Sequence, residues 1–195
     1  MITITNFKKY IEIFIEENHK VNLILKNDES LLREKHICDS LAMKYFFEKY
    51  DLPQTILDFG TGGGFPSVPL AIAYPNINIT ALDSIAKKIR AIEVFKEKLN
   101  LTNLHPICSR VENIDTKFDV VTSRAVSSYK NILEYAMPKL KKNGCFIAYK
   151  SKKVQEEINE AKNTLKKYNA KVIDIIEYKL PLNENIERNL VITTF

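Results

Sequence analysis

Glycine is scarce in this chain, and most of it lies in one place. Only five glycines occur among 195 residues, and four of them fall between Gly60 and Gly64 in the segment DFGTGGGFP. Glycine loses more backbone freedom on folding than any other residue, so a chain that otherwise avoids it needs it here for positive φ angles or for close approach of a ligand to the main chain. The segment is therefore a candidate binding loop.

Cysteine and long apolar runs are also scarce. The three cysteines (Cys38, Cys108 and Cys145) are widely separated, and no Cys-x-x-Cys or His/Cys cluster indicates a zinc site. No apolar run approaches the ~18 residues that span a membrane, and the N-terminal MITITN has neither a basic start nor a cleavage-like site. We therefore expect a cytoplasmic protein with reduced thiols, without a metal and without a membrane partner.

Positive charge is concentrated in one window of the chain. The net charge is +5, but residues 137–171 alone hold ten lysines against three glutamates, which amounts to +7. Clustered lysine attracts a phosphate backbone, which would indicate a nucleic-acid partner. A lysine-rich solvated helix gives the same composition, and the charge pattern taken alone favours that second interpretation.

The apolar pattern predicts helices first and then an alternation of strands and helices. Helical spacing predicts helices over residues 6–18 and 30–50. The predicted strands that follow cover residues 55–59, 77–82, 105–108, 118–122, 145–150, 171–178 and 188–194. The predicted helices among them cover residues 65–74, 85–99, 131–140 and 153–168, with Ser84 as a cap and residues 142–144 as a turn. The last two strands have no helix between them, so one of them should run antiparallel.

Strands that alternate with helices predict an α/β fold with a parallel sheet covered on both faces. We expect one domain over residues 1–195, with a helical cap at 1–50 and a Rossmann-like core at 51–195. The core should contain a mostly parallel seven-stranded sheet with one antiparallel strand near the C-terminus. That is the outline of the class I S-adenosylmethionine-dependent methyltransferases.

The glycine segment follows the first predicted strand, where sheets of this kind bind ligands. No lysine follows the glycines, so the segment is not a P-loop. A dinucleotide fingerprint is incomplete, because Phe65 and Ser67 occupy the sixth positions counted from Gly60 and Gly62. An S-adenosylmethionine loop requires an acidic residue and Gly-x-Gly, which Asp58, Gly60 and Gly62 supply.

Asp83 ends the second predicted strand. A carboxylate at that position can accept both ribose hydroxyls of an adenosine, so we predict that it binds the cofactor. It does not distinguish NAD from S-adenosylmethionine. The alternative is an acidic residue that stabilises the N-terminus of the following helix.

The end of the fourth predicted strand limits the acceptor chemistry. Its residues, Ser123–Val126, lack the Asn/Asp-Pro-Pro-Tyr/Phe motif that methyltransferases use for exocyclic amines. No cysteine lies in a motif for pyrimidine carbon-5 methylation. Guanine N7 already carries a lone pair and no proton, so its methylation needs alignment rather than a base.

The segment Asp58–Ala71 (DFGTGGGFPSVPLA) closely resembles the glycine loop of the bacterial small-subunit ribosomal RNA guanine-N7 methyltransferases, also called the glucose-inhibited division protein B family. Further matches follow in order along most of the chain: Asn22-Leu23, His36–Ser40, Leu82–Ser84, Lys87–Arg90, Ser109–Glu112, Ser123–Ala125 and Lys150. Two departures are Ser67 and Ser151, where the family usually has glycine.

The resemblance implies a class I fold and methyl transfer from S-adenosylmethionine to N7 of a guanine in 16S ribosomal RNA, free or in the assembling small subunit. It also implies which residues line the cofactor site: Gly60, Phe65, Val111, Glu112 and Arg124. Val111 and Glu112 would flank the adenine. We expect the enzyme to act as a monomer.

Four residues, of which Arg124 is also a predicted cofactor residue, are candidates for positioning the guanine or the RNA. His36 and Asp39 share one helix face with Ser40, where the trio either orients the guanine or, as the pattern favours, ties the cap to the sheet. Arg124 and Lys150 are cations at predicted carboxyl ends of strands, able to hold an RNA phosphate or the cofactor carboxylate. The rival functions are a small-molecule or protein methyltransferase, a nicotinamide-dependent oxidoreductase and a non-catalytic RNA-binding protein.

Overall fold

Seven strands form one sheet with helices packed on both faces. The computed structural model describes residues 5–182 and 186–195. The strands are β1 (Thr55–Phe59), β2 (Asn78–Asp83), β3 (Leu104–Cys108), β4 (Phe118–Arg124), β5 (Leu140–Ser151), β6 (Lys171–Lys179) and β7 (Glu187–Thr194). The α-helices are α1 (Thr5–Val21), α2 (Cys38–Leu41), α3 (Met43–Phe47), α4 (Ser67–Ala73), α5 (Ala86–Leu99), α6 (Tyr129–Ala136), α7 (Val154–Glu160) and α8 (Lys162–Lys167).

The strand order is β3-β2-β1-β4-β5-β7-β6. β7 pairs antiparallel with both of its neighbours, while β1 to β5 pair in parallel. The predicted fold class, a mostly parallel seven-stranded sheet with one antiparallel strand, is confirmed. The chain order reverses between β1 and β4, so the carboxyl ends of these two central strands form the crevice where such sheets bind ligands.

Side chains alternate between the two faces of the sheet. In β1, Ile56 packs under the cap with α4 and α5, whereas Leu57 packs under α6 to α8. The cap shares the first of these cores, because Tyr10 and Phe14 of α1 contact Phe95 of α5 with ring centroids 5.5 Å and 5.6 Å away. Along the part of the chain that the structure describes, no helix combines the length and apolarity that a membrane crossing requires.

The second predicted helix is irregular. The segment begins as a 3₁₀-helix at Lys26–Leu31, widens into a π-helix at Leu32–Ile37 and continues as α2 and α3. A π-helix bonds residues five apart, which lets Leu32 and Ile37 both be buried. In a regular α-helix these two side chains would point in different directions. The wide turn carries His36 and leads directly into α2, which carries Asp39.

Three smaller predictions were wrong. Ser84 does not cap α5, because the Asp83 carboxylate accepts the Ile85 amide at 2.9 Å. Residues 142–144 form an irregularity inside β5 rather than a turn before it, with Asn143 at φ +67°. Gly144 is required there, since a Cβ would lie 2.9 Å from the Asp119 carbonyl oxygen. The helix predicted over 153–168 is divided at Ala161 into α7 and α8.

Candidate cofactor and RNA site

The glycine loop leaves β1 at the crevice. Gly60 has φ +70°, and its amide donates to the Leu82 carbonyl of β2 at 2.8 Å. A Cβ at Gly60 would lie 2.4 Å from Cγ2 of Val126, so the loop after β4 packs directly on bare main chain. The positive φ predicted from the clustered glycines is present at this residue, and the group that approaches its main chain closely is the Val126 side chain.

Asp83 joins the glycine loop to the start of α5. Its Oδ2 accepts the Gly62 amide at 2.9 Å, and its Oδ1 accepts the Ile85 amide at the same distance. Each carboxylate oxygen has a second lone pair that can accept a hydroxyl proton. The position therefore suits the predicted ribose contact, while Asp83 also stabilises the helix start as the alternative interpretation requires.

Asp58 lies fully buried beneath the glycine loop. Its Oδ2 accepts the Ser67 hydroxyl and, at 3.3 Å, the Ser67 amide. The Ser67 hydroxyl also lies 2.8 Å from that of Thr61. Burial raises the pKa of Asp58 to about 7, against the lowering effect of these hydrogen bonds. Ser67, one of the two departures from the family pattern, thus gives this carboxyl a partner that glycine lacks.

Arg124 connects the cap to the crevice. Its guanidinium donates to Asp39 Oδ2 at 2.9 Å, lies 3.1 Å from His36 Nδ1 and stacks over the Phe65 ring at 4.9 Å. The side chain is only 13% exposed. Because the guanidinium donates, His36 Nδ1 must accept. Burial, reinforced by the Arg124 charge, lowers the pKa of His36 to about 4, so the imidazole is neutral.

Two tyrosines that we did not predict complete this cluster. Tyr178 of β6 donates to Asp39 Oδ1 at 2.7 Å, and Tyr149 of β5 donates to the Ser40 carbonyl at 2.8 Å. A tyrosine on the buried face of a strand usually finds a hydrogen-bond partner, which is the signal that could have pointed to them. The His36–Ser40 segment is therefore bonded to three strands of the sheet.

Lys150 lies in an internal ion pair. Its ammonium is 2.7 Å from Glu157 Oε2 of α7 and donates to the Ser127 carbonyl at 3.0 Å. The same carboxylate oxygen accepts the Tyr129 amide at 2.7 Å. The side chain is only 8% exposed, and Lys150, a candidate RNA contact, borders an open cleft with its ammonium held by partners of the protein itself. Neither Glu157 nor Ser127 was predicted, because nothing in their local sequence indicates this contact.

Val111 and Glu112 lie on the other side of the crevice. They form a short 3₁₀ turn, Val111–Asn113, a few residues after β3. The end of β3 is close to Asp83, since Asp83 pairs with Cys108 in register. Val111 is buried with the core beneath that edge, and Glu112 is exposed. The structure therefore places all the predicted cofactor residues around the ends of β1 to β4.

An open cleft of about 360 Å³ lies beside Arg124, at the carboxyl end of β4. Its lining includes Arg124 and Ala125, and the next residue, Val126, contacts Gly60. The remaining lining residues are Lys35, His36, Asp39, Tyr149, Lys150, Ser151 and Arg188. The size is in the range of small-ligand pockets, and cations predominate in its walls. Arg188 was not predicted from the sequence.

The lysine window does not form one surface. Lys141 pairs with Asp119 at 2.9 Å, and Lys139 donates to main-chain carbonyls. Lys142 lies at the opposite edge of the sheet from the crevice, near the start of β5. Lys152 and Lys153 are exposed just beyond the end of β5, on the crevice side. Composition alone could not separate these environments.

A model of the family described as rRNA small subunit methyltransferase G matches residues 3–191. The chain belongs to this family. The ribosomal RNA small subunit methyltransferase G of Listeria monocytogenes is 34% identical over 96% of this chain and 81% of its own length. That of Staphylococcus saprophyticus is 37% identical over 95% of this chain and 79% of its own length. The predicted family is thus confirmed.

The fold of this family member recurs in solved structures of other proteins. M. jannaschii TYW2 in complex with AdoMet superposes with a TM-score of 0.62 at 20% identity, covering 81% of this chain and 74% of that one. A ribosomal protein L11 methylase from Lactobacillus delbrueckii gives 0.56 at 18% identity, covering 78% and 75%. At such identities the likeness shows the class I fold alone.

Proposed function

We propose that this protein transfers the methyl group of S-adenosylmethionine to N7 of a guanine in 16S ribosomal RNA. The observation that carries the proposal is the family match over residues 3–191. The open main chain at Gly62, where the nearest atom to an added Cβ is 3.9 Å away, and the spare lone pairs of Asp83 support a cofactor of this kind. We further propose that the enzyme is a cytoplasmic monomer.

In this proposal the residues of the chain bind the cofactor and align it with the guanine. S-adenosylmethionine supplies an electrophilic methyl group on a sulfonium, and guanine N7 supplies the lone pair. Gly60, Gly62 and Asp83 would hold the cofactor, while Val111 and Glu112 would flank its adenine. The cleft beside Arg124 would receive the guanine. No side chain has to remove a proton, so His36 needs no role as a base, and its Nδ1 is already occupied by Arg124.

The first prediction concerns the product. Ribosomal RNA from cells that lack this protein should lose one 7-methylguanosine per 16S molecule, as measured by mass spectrometry of digested nucleosides. A plasmid copy of the wild-type protein should restore it, and a Gly60→Ala copy should not. An unchanged amount of 7-methylguanosine in 16S RNA would exclude the proposed reaction, whatever the protein binds.

The second prediction concerns the lysines next to the cleft. Lys152→Ala/Lys153→Ala should weaken RNA binding and reduce the slope of log K against log salt by about 1 to 2, because two phosphate contacts are lost. Lys142→Ala/Lys171→Ala removes the same charge at the opposite edge of the sheet and is the matched control. If both double variants reduce the slope of log K against log salt equally, RNA binding depends on the net charge of the protein and not on the position of these lysines.

A further inference from the structure

Four residues connect β4 to α6, and one of them, Val126, packs on the glycine loop. This β4–α6 loop, Ala125–Ser128, begins beside Arg124 and continues to Val126, which covers Gly60. Ala125 has φ +56°, a left-handed conformation that costs a residue with a side chain about 1–2 kcal/mol. A conformation of this kind persists only where the surroundings impose it.

The Lys150–Glu157 pair supplies that constraint. The ammonium donates to the Ser127 carbonyl, and Glu157 Oε2 accepts the Tyr129 amide at the first turn of α6. One carboxylate oxygen and one ammonium, 2.7 Å apart, thereby fix both the end of the loop and the start of the helix. We propose that Lys150 and Glu157 are positioning residues, which hold Val126 against the glycine loop and so set the affinity for the cofactor. This inference rests on the proposed methyl-transfer function.

The same geometry argues against a direct RNA contact by Lys150. Its ammonium has two partners inside the protein and is almost completely buried. Moving it to an RNA phosphate would leave the Glu157 carboxylate without its cation and free the Ser127 carbonyl. Lys152, two residues later, is exposed and provides a direct comparison.

The test separates cofactor affinity from RNA affinity. Lys150→Met keeps the length of the side chain but removes the charge and its hydrogen bonds, and Lys152→Met makes the same change at the exposed site. Calorimetry with S-adenosylhomocysteine should show at least tenfold weaker binding for Lys150→Met, with an unchanged salt slope for RNA. Lys152→Met should lower the salt slope and leave S-adenosylhomocysteine affinity unchanged.

Further variants keep the test decisive if Lys150→Met does not fold. Glu157→Gln removes the charge but retains an oxygen acceptor for the Tyr129 amide, so it should also weaken S-adenosylhomocysteine binding. Lys150→Arg retains a cation and should recover most of the affinity. A double variant, Lys150→Met/Glu157→Gln, should bind no more weakly than the worse single variant, because both remove one interaction.

Two results would overturn the inference. One is a Lys150→Met or Glu157→Gln variant with wild-type affinity for S-adenosylhomocysteine. The other is a Lys150 variant whose salt slope for RNA falls as much as that of Lys152→Met. Both measurements use cofactor or RNA binding rather than turnover, so a protein that binds S-adenosylhomocysteine but methylates no ribosomal RNA would refute only the proposed function.

Discussion

Gly60→Ala is expected to destabilise the protein by about 3 kcal/mol and to weaken S-adenosylmethionine binding by about 100-fold. The left-handed backbone, φ +70°, costs an alanine about 1–2 kcal/mol. Its Cβ would also lie 2.4 Å from Val126 Cγ2, and relieving such overpacking costs about 1–3 kcal/mol. Relief must come from movement of the β4–α6 loop or the glycine loop, and both border the proposed cofactor site.

Gly62→Ala is the matched control for this prediction. Gly62 has a similar φ of +59°, but the nearest atom to an added Cβ is 3.9 Å away. Only backbone strain of about 1–2 kcal/mol is then expected in the free energy of unfolding without cofactor. Urea denaturation of both variants should show this difference. The double variant Gly60→Ala/Val126→Ala removes the clashing methyl groups, so it should recover the part of the lost unfolding free energy that overpacking causes. If it recovers none, the Val126 contact is not the cause.

Local sequence determined where the predicted cofactor residues lie in the fold. β1 occupies the predicted residues, Thr55–Phe59, because a short apolar run between turn-forming residues has few alternatives. The glycine loop and Asp83 follow from strand ends, which apolar patterning locates directly. The predicted set for the cofactor surrounds one crevice for this reason.

Charge pairing could not be predicted in the same way. Arg124 and Asp39 are 85 positions apart, and Asp39 also accepts from Tyr178, so three distant segments of the chain meet at one carboxylate. Lys150 and Glu157 are seven positions apart, across the junction of a strand and a helix, where neither structural period relates them. From the sequence, a lysine at a strand end therefore looks free to bind a ligand, although in the fold it forms an ion pair with a residue of the protein.

Two buried groups are expected to give opposite contributions to stability as the pH changes. Burial raises the pKa of Asp58 from 3.8 to about 7, so the folded state binds this proton more tightly than the unfolded state does. Its contribution is therefore greatest below pH 4 and is lost as the pH rises to about 7, by about 4 kcal/mol. The pKa of His36 falls from 6.5 to about 4, so its contribution is full above pH 6.5 and is lost toward pH 4, by about 3 kcal/mol.

Between about pH 4 and 6.5 the two slopes should cancel, since folding takes up one proton at Asp58 and releases one at His36. Single variants separate them. Relative to wild type, Asp58→Asn should lose stability as the pH falls from about 7 to 4, and His36→Gln should gain it as the pH falls from 6.5 to 4. Urea denaturation at pH 4.5, 5.5, 6.5 and 7.5 measures both differences in the free energy of unfolding. Titratable and charged groups that all three proteins share largely cancel in these differences, including Asp28, Lys35 and Arg124 around His36. Curves for the two variants that run parallel to wild type would mean that neither pKa is displaced by burial.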